Sequence, residues 1–362
     1  MKRTLKNEEG ITLVALVITI IILLILATIS IQSLTNTGLF EKTKEAKEKT
    51  HAAEINQAKT LNEYEDELNK YVSGTAQTQK LADKVKVGDY VTYTPDALDS
   101  NAVATLKSNL NTYSGKSDST INSEIKRDDL KWRVLDVQNG QVRLISEAPT
   151  TSKIELYGYN GYNNAVKLID DACSTLYTNK KLASKVQNLK IEDITKYMKT
   201  QPTLDTATYS PTNIKYPKIL EKEEKQTVVN STTNNKLGIS SQDVFVTGND
   251  TSATSTLKKT YWSQSMNNTD SFTDSKYYEL FIQNMDTKYN YWVPSRCINA
   301  SSDYAGFCVH YVDSGDVTAH GLCDSNNIER SDNFALRPCI TLDANVQVAS
   351  GSGSLESPFN IQ

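Results

Sequence analysis

An uncharged, apolar run over residues 11–31 constrains this chain more than any other feature of its sequence. A helix rises about 1.5 Å per residue, so a run of this length reaches roughly 32 Å and matches the hydrocarbon core of a bilayer. The nearby basic residues Lys2, Arg3 and Lys6 all precede the run, which predicts a cytoplasmic N-terminus. We therefore expect a single-pass protein of the cell membrane, with the membrane as a partner, a transmembrane helix over residues 11–37 and an extracellular C-terminal domain.

Three interpretations of this run stay open. A cleaved secretory signal has a shorter apolar region, of about 7–15 residues, followed by small residues. A plain uncleaved anchor fits the length. The third interpretation depends on the order of features: a basic leader over residues 1–10 with an acidic pair, then Gly10, then the apolar run. This order resembles a type IV prepilin leader, although Ala15 stands where that family usually has glutamate. The resemblance implies cleavage between Gly10 and Ile11 by a prepilin peptidase, and it implies other pilin-like subunits as partners.

The residues after the run divide into a stalk and a globular domain. Residues 39–72 are rich in charged residues and contain no glycine, and their apolar residues recur at helical spacing. This pattern predicts an amphipathic stalk helix over residues 38–74. Residues 75–362 then form an extracytoplasmic domain. Two polar segments, near 96–127 and 201–256, are predicted to be insertions in that domain.

Several local patterns within the domain predict specific elements. The dipeptide Asn139-Gly140 separates two β-prone runs and is typical of a type I′ hairpin turn. Apolar residues between 165 and 176 recur at i, i+3, i+4 and i+7, which predicts a helix with Cys173 buried beside its apolar stripe. A second helix is expected over residues 191–198. Pro338 suggests that the closing strand, residues 335–342, is an edge strand or contains a bulge.

Composition and charge exclude several classes of function. After Lys288 the chain has three arginines against eight acidic residues, whereas the whole chain has a net charge of −4. An acidic C-terminal region without a basic patch argues against nucleic acid as a partner. No phosphate-binding glycine loop, His-Glu-x-x-His motif or nucleophile elbow is present. We therefore predict that the protein is not an enzyme and has no cofactor.

The window of residues 295–333 is the predicted recognition surface. It is rich in Asp, Asn, Ser and Tyr, and holds three of the five cysteines and two of the three histidines. Tyrosine supplies rigid contact area and the small polar residues supply adaptable hydrogen bonds, a combination typical of binding loops. We predict an unknown extracellular ligand, a protein or a glycan, bound by Tyr304, His310, Tyr311, Asp313, Asp316, Thr318, His320, Asp324 and Asn326.

The cysteines and histidines in this window could also form a zinc site or disulfides. Cys308-x-His310 and His320-x-x-Cys323 offer four ligands for a tetrahedral zinc ion. Their spacing matches no common zinc motif, and strand alternation would put His320 and Cys323 on opposite faces. We therefore predict no metal site. Up to two disulfides remain compatible with the sequence, and their pairing cannot be deduced from it.

A second resemblance concerns the globular domain. The segments WRVLDVQNGQVRLISE, GYNNAVKLIDDACSTLY, YWVPSRCINA and ALRPCITL resemble bacterial surface domains with prepilin-type anchors, whose fold is of the C-type-lectin or formylglycine-generating-enzyme type. Ligand-binding proteins diversified by retroelements share that fold and have a variable segment near the C-terminus. The resemblance implies an α+β fold: a long N-terminal membrane and stalk helix, then a C-type-lectin-like domain of short strands and two or three helices.

Two functions follow as hypotheses. The first is a pilin-like adhesin that presents a variable recognition surface at residues 295–333. The second is a structural subunit, a minor pilin or pseudopilin, of a pilus or secretion machine. The N-terminal features suit both functions.

Overall fold

The computed structural model describes residues 20, 49–50, 57, 60, 64, 79–203, 208–209, 215–219, 238–250, 257–266, 268–283 and 290–362. The chain divides into two compact units, Met1–Thr75 and Ala76–Gln362. The predicted leader over 1–10 with its cleavage site, the membrane segment over 11–37 and the stalk over 38–74 lie outside the described residues, apart from the six isolated positions. Much of the predicted insertion at 201–256 lies outside them as well.

Strands make up most of the regular structure in the described residues. They are β1 (Gln79–Lys80), β2 (Tyr90–Thr92), β3 (Trp132–Gln138), β4 (Gln141–Ser146), β5 (Lys153–Tyr157), β6 (Ala183–Asn188), β7 (Thr208–Tyr209), β8 (Tyr216–Pro217), β9 (Asn249–Asp250), β10 (Leu257–Lys258), β11 (Gln264–Ser265), β12 (Tyr291–Ala300), β13 (Ala305–Asp313), β14 (Asp316–Asp324), β15 (Ser331–Ala335), β16 (Pro338–Leu342), β17 (Gln347–Ser350) and β18 (Phe359–Ile361).

The described α-helices are α1 (Ser100–Tyr113), α2 (Thr120–Ser123), α3 (Gly158–Tyr177), α4 (Ile191–Thr195) and α5 (Ser275–Tyr278). Short 3-10 turns lie at Leu81–Asp83 and Thr269–Ser271, and a π-helical turn, Glu279–Gln283, follows α5. Asp99 caps α1 because its carboxylate accepts hydrogen bonds from the backbone N–H groups of Asn101 and Ala102.

Two mixed sheets organise the domain around α3. The larger sheet has the strand order β1-β17-β18-β2-β3-β4-β16-β6, and the smaller has the order β11-β14-β13-β12-β15-β5. All pairs are antiparallel except β18–β2 and β12–β15. Helix α3 contacts β6 and β16 of the larger sheet and β5, β12, β13 and β14 of the smaller one. Its apolar stripe is therefore buried between elements of both sheets, and the main hydrophobic core surrounds it.

The predicted fold class is wrong for the described residues. They are mainly sheet, with few short helices, and they contain no long N-terminal helix, in contrast to the α+β, C-type-lectin-like arrangement that the sequence suggested. Strands β12, β13 and β14 have 10, 9 and 9 residues, so they are not short either. Most of β12 and β13 is buried on both faces, which removes the two-residue alternation that marks a strand in a sequence.

The predicted membrane location is corrected as well. Among the helices in the described part of the chain, none is both long enough and apolar enough to cross a membrane. The longest of them, α3, has 20 residues but carries Lys167, Asp170 and Asp171 beside its apolar stripe. The run over residues 11–31, on which the prediction of a single-pass protein with a cytoplasmic N-terminus depended, lies outside the described residues except for Ile20.

The strongest local predictions are confirmed. Strands β3 and β4 form a hairpin whose turn residues, Asn139 and Gly140, have φ angles of 51° and 76°, as a type I′ turn requires. The predicted helix corresponds to α3, and Cys173 is fully buried in it. Burial raises the pKa of the Cys173 thiol well above its ordinary value, so this cysteine is an inert part of the core. The second helix exists as α4 and is shorter than expected.

Two local predictions need correction. Strand β16 is not an edge strand, because it pairs with β4 on one side and β6 on the other, but the register of its pairing with β6 shifts between Thr341 and Leu342, as the alternative of a bulge expects. Pro338 is tolerated as the first residue of that strand, where a missing N–H group disturbs the ladder least. The predicted insertion near 96–127 contains α1 and α2, and α1 packs against α3, so this segment belongs to the core.

A buried ion pair lies between the larger sheet and α4. Arg143 on β4 donates from Nε and Nη2 to the two carboxylate oxygens of Asp136 on β3, at 2.7 and 2.6 Å. The Tyr197 hydroxyl also donates to Asp136, and Arg143 reaches Asp193 on α4 through Nη1. Burial alone would raise the pKa of Asp136, but the hydrogen bonds from Arg143 and Tyr197 overcome it and lower that pKa to about 2.

We predict that Asp136→Asn is destabilising at neutral pH and much less so in acid. Because the folded-state pKa lies below the ordinary value, the stability that Asp136 contributes is present above about pH 4 and is lost as the pH falls toward 2. The shift corresponds to roughly 2 kcal/mol. Denaturant unfolding of the wild type and the variant between pH 7 and pH 2 should show the two curves converge below pH 4. The exposed Asp118→Asn is the control and should show no such convergence; a constant difference for Asp136→Asn would refute the assignment.

Candidate functional site

The predicted recognition window forms the middle of the smaller sheet. Residues 295–333 include most of β12, all of β13 and β14, and the beginning of β15. The β13–β14 connection is a two-residue turn in which Ser314 and Gly315 have φ angles of 40° and 110°. This tight turn fixes the register, so that Asp313 lies opposite Asp316 and Tyr311 lies opposite Thr318. The window is therefore a regular surface, and not the loop region that its composition suggested.

Five of the nine predicted ligand-binding residues share one face of this hairpin. Side chains two residues apart on a strand point to the same face. On β13 these are Tyr311 and Asp313, and on β14 they are Asp316, Thr318 and His320. Val309 belongs to the same face and lies opposite His320. Asp316 is exposed and the other four are partly exposed. We call the group of Tyr311, Asp313, Asp316, Thr318 and His320, together with Asp332 of β15, the hairpin face.

The other four predicted residues lie elsewhere. His310 is fully buried, so the expectation that it is exposed for recognition is wrong. Asp324 is 1% exposed, and its carboxylate accepts hydrogen bonds from the backbone N–H groups of Asn326 and Ile328, so it stabilises the turn after β14. Asn326 is exposed in that turn. Tyr304 precedes β13 and covers Gly306, about 23 Å along the strand from Tyr311 at 3.3 Å per residue.

Strand parity explains why neighbouring residues have such different surroundings. His310 and Tyr311 are adjacent in the sequence, but their side chains point to opposite faces of the sheet. The His310 side chain lies 6.0 Å from Trp262, measured between ring centroids, and its Nδ1 is 3.0 Å from the carbonyl oxygen of Ser295. Burial lowers the pKa of His310 to about 4, although the hydrogen bond to Ser295 opposes this shift.

Aromatic rings lie beneath the hairpin face. The ring of Tyr311 stacks on Phe334 of β15, with 4.3 Å between centroids and 12° between planes. Phe334 in turn packs edge-on against Trp292 of β12, with 4.5 Å between centroids. Trp292 is fully buried, and its indole N–H donates to the carbonyl oxygen of Ile154 at 2.9 Å. Tyr311 is thus held in place by the core while one part of its ring stays accessible.

Asp332 adds a carboxylate that sequence reasoning missed. Its Oδ2 lies 3.1 Å from Nδ1 of His320, although β13 and β12 separate β14 from β15 in the sheet. The smaller sheet is therefore strongly curled at this point. Burial raises the pKa of the Tyr311 phenol, and the negative charges of Asp313, Asp332 and Asp316 raise it further. The hairpin face thus combines negative charge with an anchored tyrosine.

The candidate zinc ligands and the cysteines of this region do not converge on one point. Within the described ranges, no group of three or more His, Cys, Asp or Glu side chains could hold a metal ion. The candidate zinc ligands His310 and His320 lie on opposite faces of the hairpin. All five cysteines are buried and none forms a disulfide, even though Cys297 and Cys308 lie directly opposite each other on β12 and β13.

Comparisons of the chain with protein-family models, with curated proteins and with solved structures found no match. Function must therefore be inferred from the chemistry of the hairpin face itself. Three carboxylates beside a tyrosine accept hydrogen bonds and attract positive charge, and His320 and Thr318 add groups that can donate.

We predict that His310 contributes to stability in a pH-dependent manner. An unfolded histidine titrates near pH 6.5, whereas folded His310 has a pKa of about 4, so its contribution is complete above pH 6.5 and is lost as the pH falls toward 4. The difference corresponds to roughly 3 kcal/mol. Urea unfolding of wild type and His310→Gln should show the gap between them shrink over this range. His320→Gln is the matched control at a partly exposed site. The prediction would be contradicted if the difference in unfolding free energy from wild type shrank in acid for His320→Gln and not for His310→Gln.

Proposed function

We propose that this protein is a binding protein, and that its hairpin face recognises a second protein through lysine or arginine side chains. The observation that carries the proposal is the placement of three carboxylates about the anchored ring of Tyr311: Asp313 lies two residues along β13 and opposite Asp316, and Asp332 lies two residues from Phe334, on which the ring stacks. Binding is also the function that the composition of residues 295–333 predicts.

Charge supports a basic partner. The three carboxylates are partly or fully exposed, so they can form charge-assisted hydrogen bonds with a guanidinium or ammonium group. A cation held by these carboxylates can also contact the ring of Tyr311, since aromatic faces attract positive charge. The surroundings have the same sign, because the 74 residues after Lys288 contain three arginines and eight acidic residues. Such a field accelerates association with a basic partner and disfavours an acidic one.

Rigidity supports recognition as well. Binding loses less conformational entropy when the contacting side chains are already ordered. Tyr311 is ordered by Phe334, which is ordered by Trp292, and His320 is oriented by Asp332. Tyrosine is also among the residues that most often dominate binding energy when the rest of the interface excludes water.

We expect Tyr311→Ala and Asp316→Asn to weaken binding to basic peptides. An array of peptides with lysine and arginine at varied spacing, and matched peptides with glutamine at those positions, would be tested against the full chain. Arginine- or lysine-containing peptides should bind, Tyr311→Ala should weaken them by about tenfold or more, and Asp316→Asn by a smaller factor. Affinity should fall as salt rises from 50 to 500 mM, because exposed charges are screened.

The control is Asp83→Asn, which removes an exposed carboxylate in the turn after β1 of the larger sheet and should leave peptide binding unchanged. Equal binding of the glutamine peptides, or loss of binding in the control, would overturn the proposal. The alternative function, a structural subunit, predicts self-association in place of peptide binding. Sedimentation of the wild type and Tyr311→Ala decides between them: a dimer or filament that Tyr311→Ala disrupts would favour the structural role.

A further inference from the structure

A cavity at the end of α3 lies apart from the hairpin face. Its volume is about 320 Å³, at the lower end of the range of about 300–1,000 Å³ for small-molecule sites, so it suits a ligand of few atoms. Three aromatic residues lie beneath it and are almost completely buried: Tyr93, Trp132 and Tyr177 are 4%, 3% and 0% exposed. A ligand therefore contacts the other wall residues, 94–95 and 127–130, all of which are partly or fully exposed.

The buried rings hold these wall segments in place. Trp132 packs edge-on against Tyr93 and Tyr177, with 5.3 and 5.8 Å between ring centroids. The Tyr177 hydroxyl accepts a hydrogen bond from the backbone N–H of Asp128 at 3.1 Å, which ties residues 127–130 to the end of α3. The polar groups of the walls are therefore ordered before a ligand arrives, and binding loses less conformational entropy.

Arg127 offers a pair of N–H groups at this cavity. Its Nη1 donates to the carbonyl oxygens of Asp96 and Leu176, at 2.6 and 3.3 Å, and these two bonds fix the guanidinium group. Its Nε and Nη2 make no hydrogen bond or ion pair with any described residue. These two nitrogens lie along one side of the planar guanidinium, and their spacing matches the two oxygens of a carboxylate.

One of the two neighbouring carboxylates is already engaged. Asp128 accepts from the backbone N–H and the hydroxyl of Thr151, at 2.6 and 2.7 Å, and from the N–H of Ser152 at 3.4 Å. Asp129, by contrast, is exposed, and its carboxylate makes no hydrogen bond or ion pair with any described residue. Asp129 is therefore the acceptor that remains for a ligand with N–H donors.

The two remaining charges decide the class of ligand. Arg127 and Asp129 both line the cavity and carry opposite charges, but no ion pair joins them, since carbonyl oxygens hold Arg127 elsewhere. A simple anion would be repelled by Asp129, and a simple cation would be repelled by Arg127. A molecule with both a carboxylate and an ammonium group gains an attraction at each end, so a small zwitterion fits best.

We propose that this cavity binds a small free α-amino acid. Its carboxylate accepts hydrogen bonds from Nε and Nη2 of Arg127, and its ammonium group donates to the carboxylate of Asp129. The volume limits the side chain to a small one, as in glycine, alanine or serine. This proposal goes beyond recognition by the hairpin face and shares no residue with it, so either can fail without the other.

The test measures binding of glycine, L-alanine and L-serine to the full chain at pH 7 by calorimetry. At least one should bind saturably, with a Kd of roughly millimolar magnitude. Acetate and methylamine each carry only one of the two charges, and glycinamide lacks the carboxylate, so all three should bind at least about tenfold more weakly. L-Tryptophan should bind more weakly than glycine, because its side chain exceeds the cavity.

Conservative variants connect the binding to this cavity. Asp129→Asn removes an exposed charge that supports no described contact, and Arg127→Lys keeps the charge but removes the paired N–H groups. Each should weaken the preferred amino acid by about fivefold or more, whereas acetate should bind Asp129→Asn no more weakly than wild type. The control is Asp83→Asn, which removes an exposed carboxylate that does not line the cavity and should leave binding unchanged.

Thermal unfolding checks that each variant folds, and if Arg127→Lys does not, Asp129→Asn decides. The proposal would be overturned if no amino acid bound saturably, or if acetate or methylamine bound as tightly as glycine. Unchanged affinity in a folded Asp129→Asn protein would overturn it as well, because the ammonium group would then have another partner. Tighter binding of glycylglycine than of glycine would assign the cavity to peptides and contradict a site for free amino acids.

Discussion

The relative placement of the two sheets depends on a buried junction between Asn188 and Arg337. The chain leaves the smaller sheet at the end of β15 and enters the larger one at Pro338, so Arg337 lies at the crossing point. Asn188, the last residue of β6, accepts a hydrogen bond from the N–H of Arg337 at 2.7 Å and donates to the carbonyl oxygen of Trp292 at 2.7 Å. A single amide side chain thus connects strand ends of both sheets, and neither bond survives if the sheets shift relative to each other.

Arg337 increases the specificity of this junction. It is fully buried, and its Nη2 group donates to the carbonyl oxygens of Glu147 and Leu280, while its guanidinium lies 5.4 Å from the centre of the Tyr291 ring. Its Nε and Nη1 atoms are buried without a partner among the described residues, and burial lowers its pKa. A cation compensated mainly by carbonyl groups is expensive to bury, so this arrangement favours one placement of the sheets more than it adds stability. Trp292, whose carbonyl oxygen accepts from Asn188, packs against Phe334, and Phe334 stacks on Tyr311. The position of the hairpin face therefore depends on this junction.

The parts of the fold that could be predicted from the sequence are those specified by local chemistry. The turn at Asn139-Gly140 needs two residues with positive φ, and α3 needs only a stripe at helical spacing, so both signals lie within a few residues. The long strands β12 and β13 have no local pattern that predicts a strand. Cys297, Cys308 and His310 are buried in them, whereas in a sequence these residue types suggest polar or reactive sites. The junction of Asn188 with Arg337 joins positions 149 residues apart, and no local pattern contains it.

The candidate sites show the same limit. Composition pointed to residues 295–333 as a whole, but it could not separate His310 from Tyr311, because parity depends on register. The two-residue turn at Ser314-Gly315 contains that information, since it sets Asp313 opposite Asp316 and so assigns every residue of both strands to a face. Asp332 could not have been found in this way, because its contact with His320 requires the curl of the sheet.

Register also limits how far the recognition surface can vary. On β13, Tyr311 and Asp313 face outward while His310 and Val312 are fully buried between them. Substitution at the outward positions changes the chemistry offered to a partner, whereas substitution at the buried positions disturbs packed volume and costs several times more stability. Within the predicted window of residues 295–333, alternation of outward and buried positions is therefore confined to the part of the hairpin near its turn, because most of β12 and the first half of β13 are buried on both faces. Diversity that respects this parity would change the ligand while Trp292 and the sheet junction keep the surface in place.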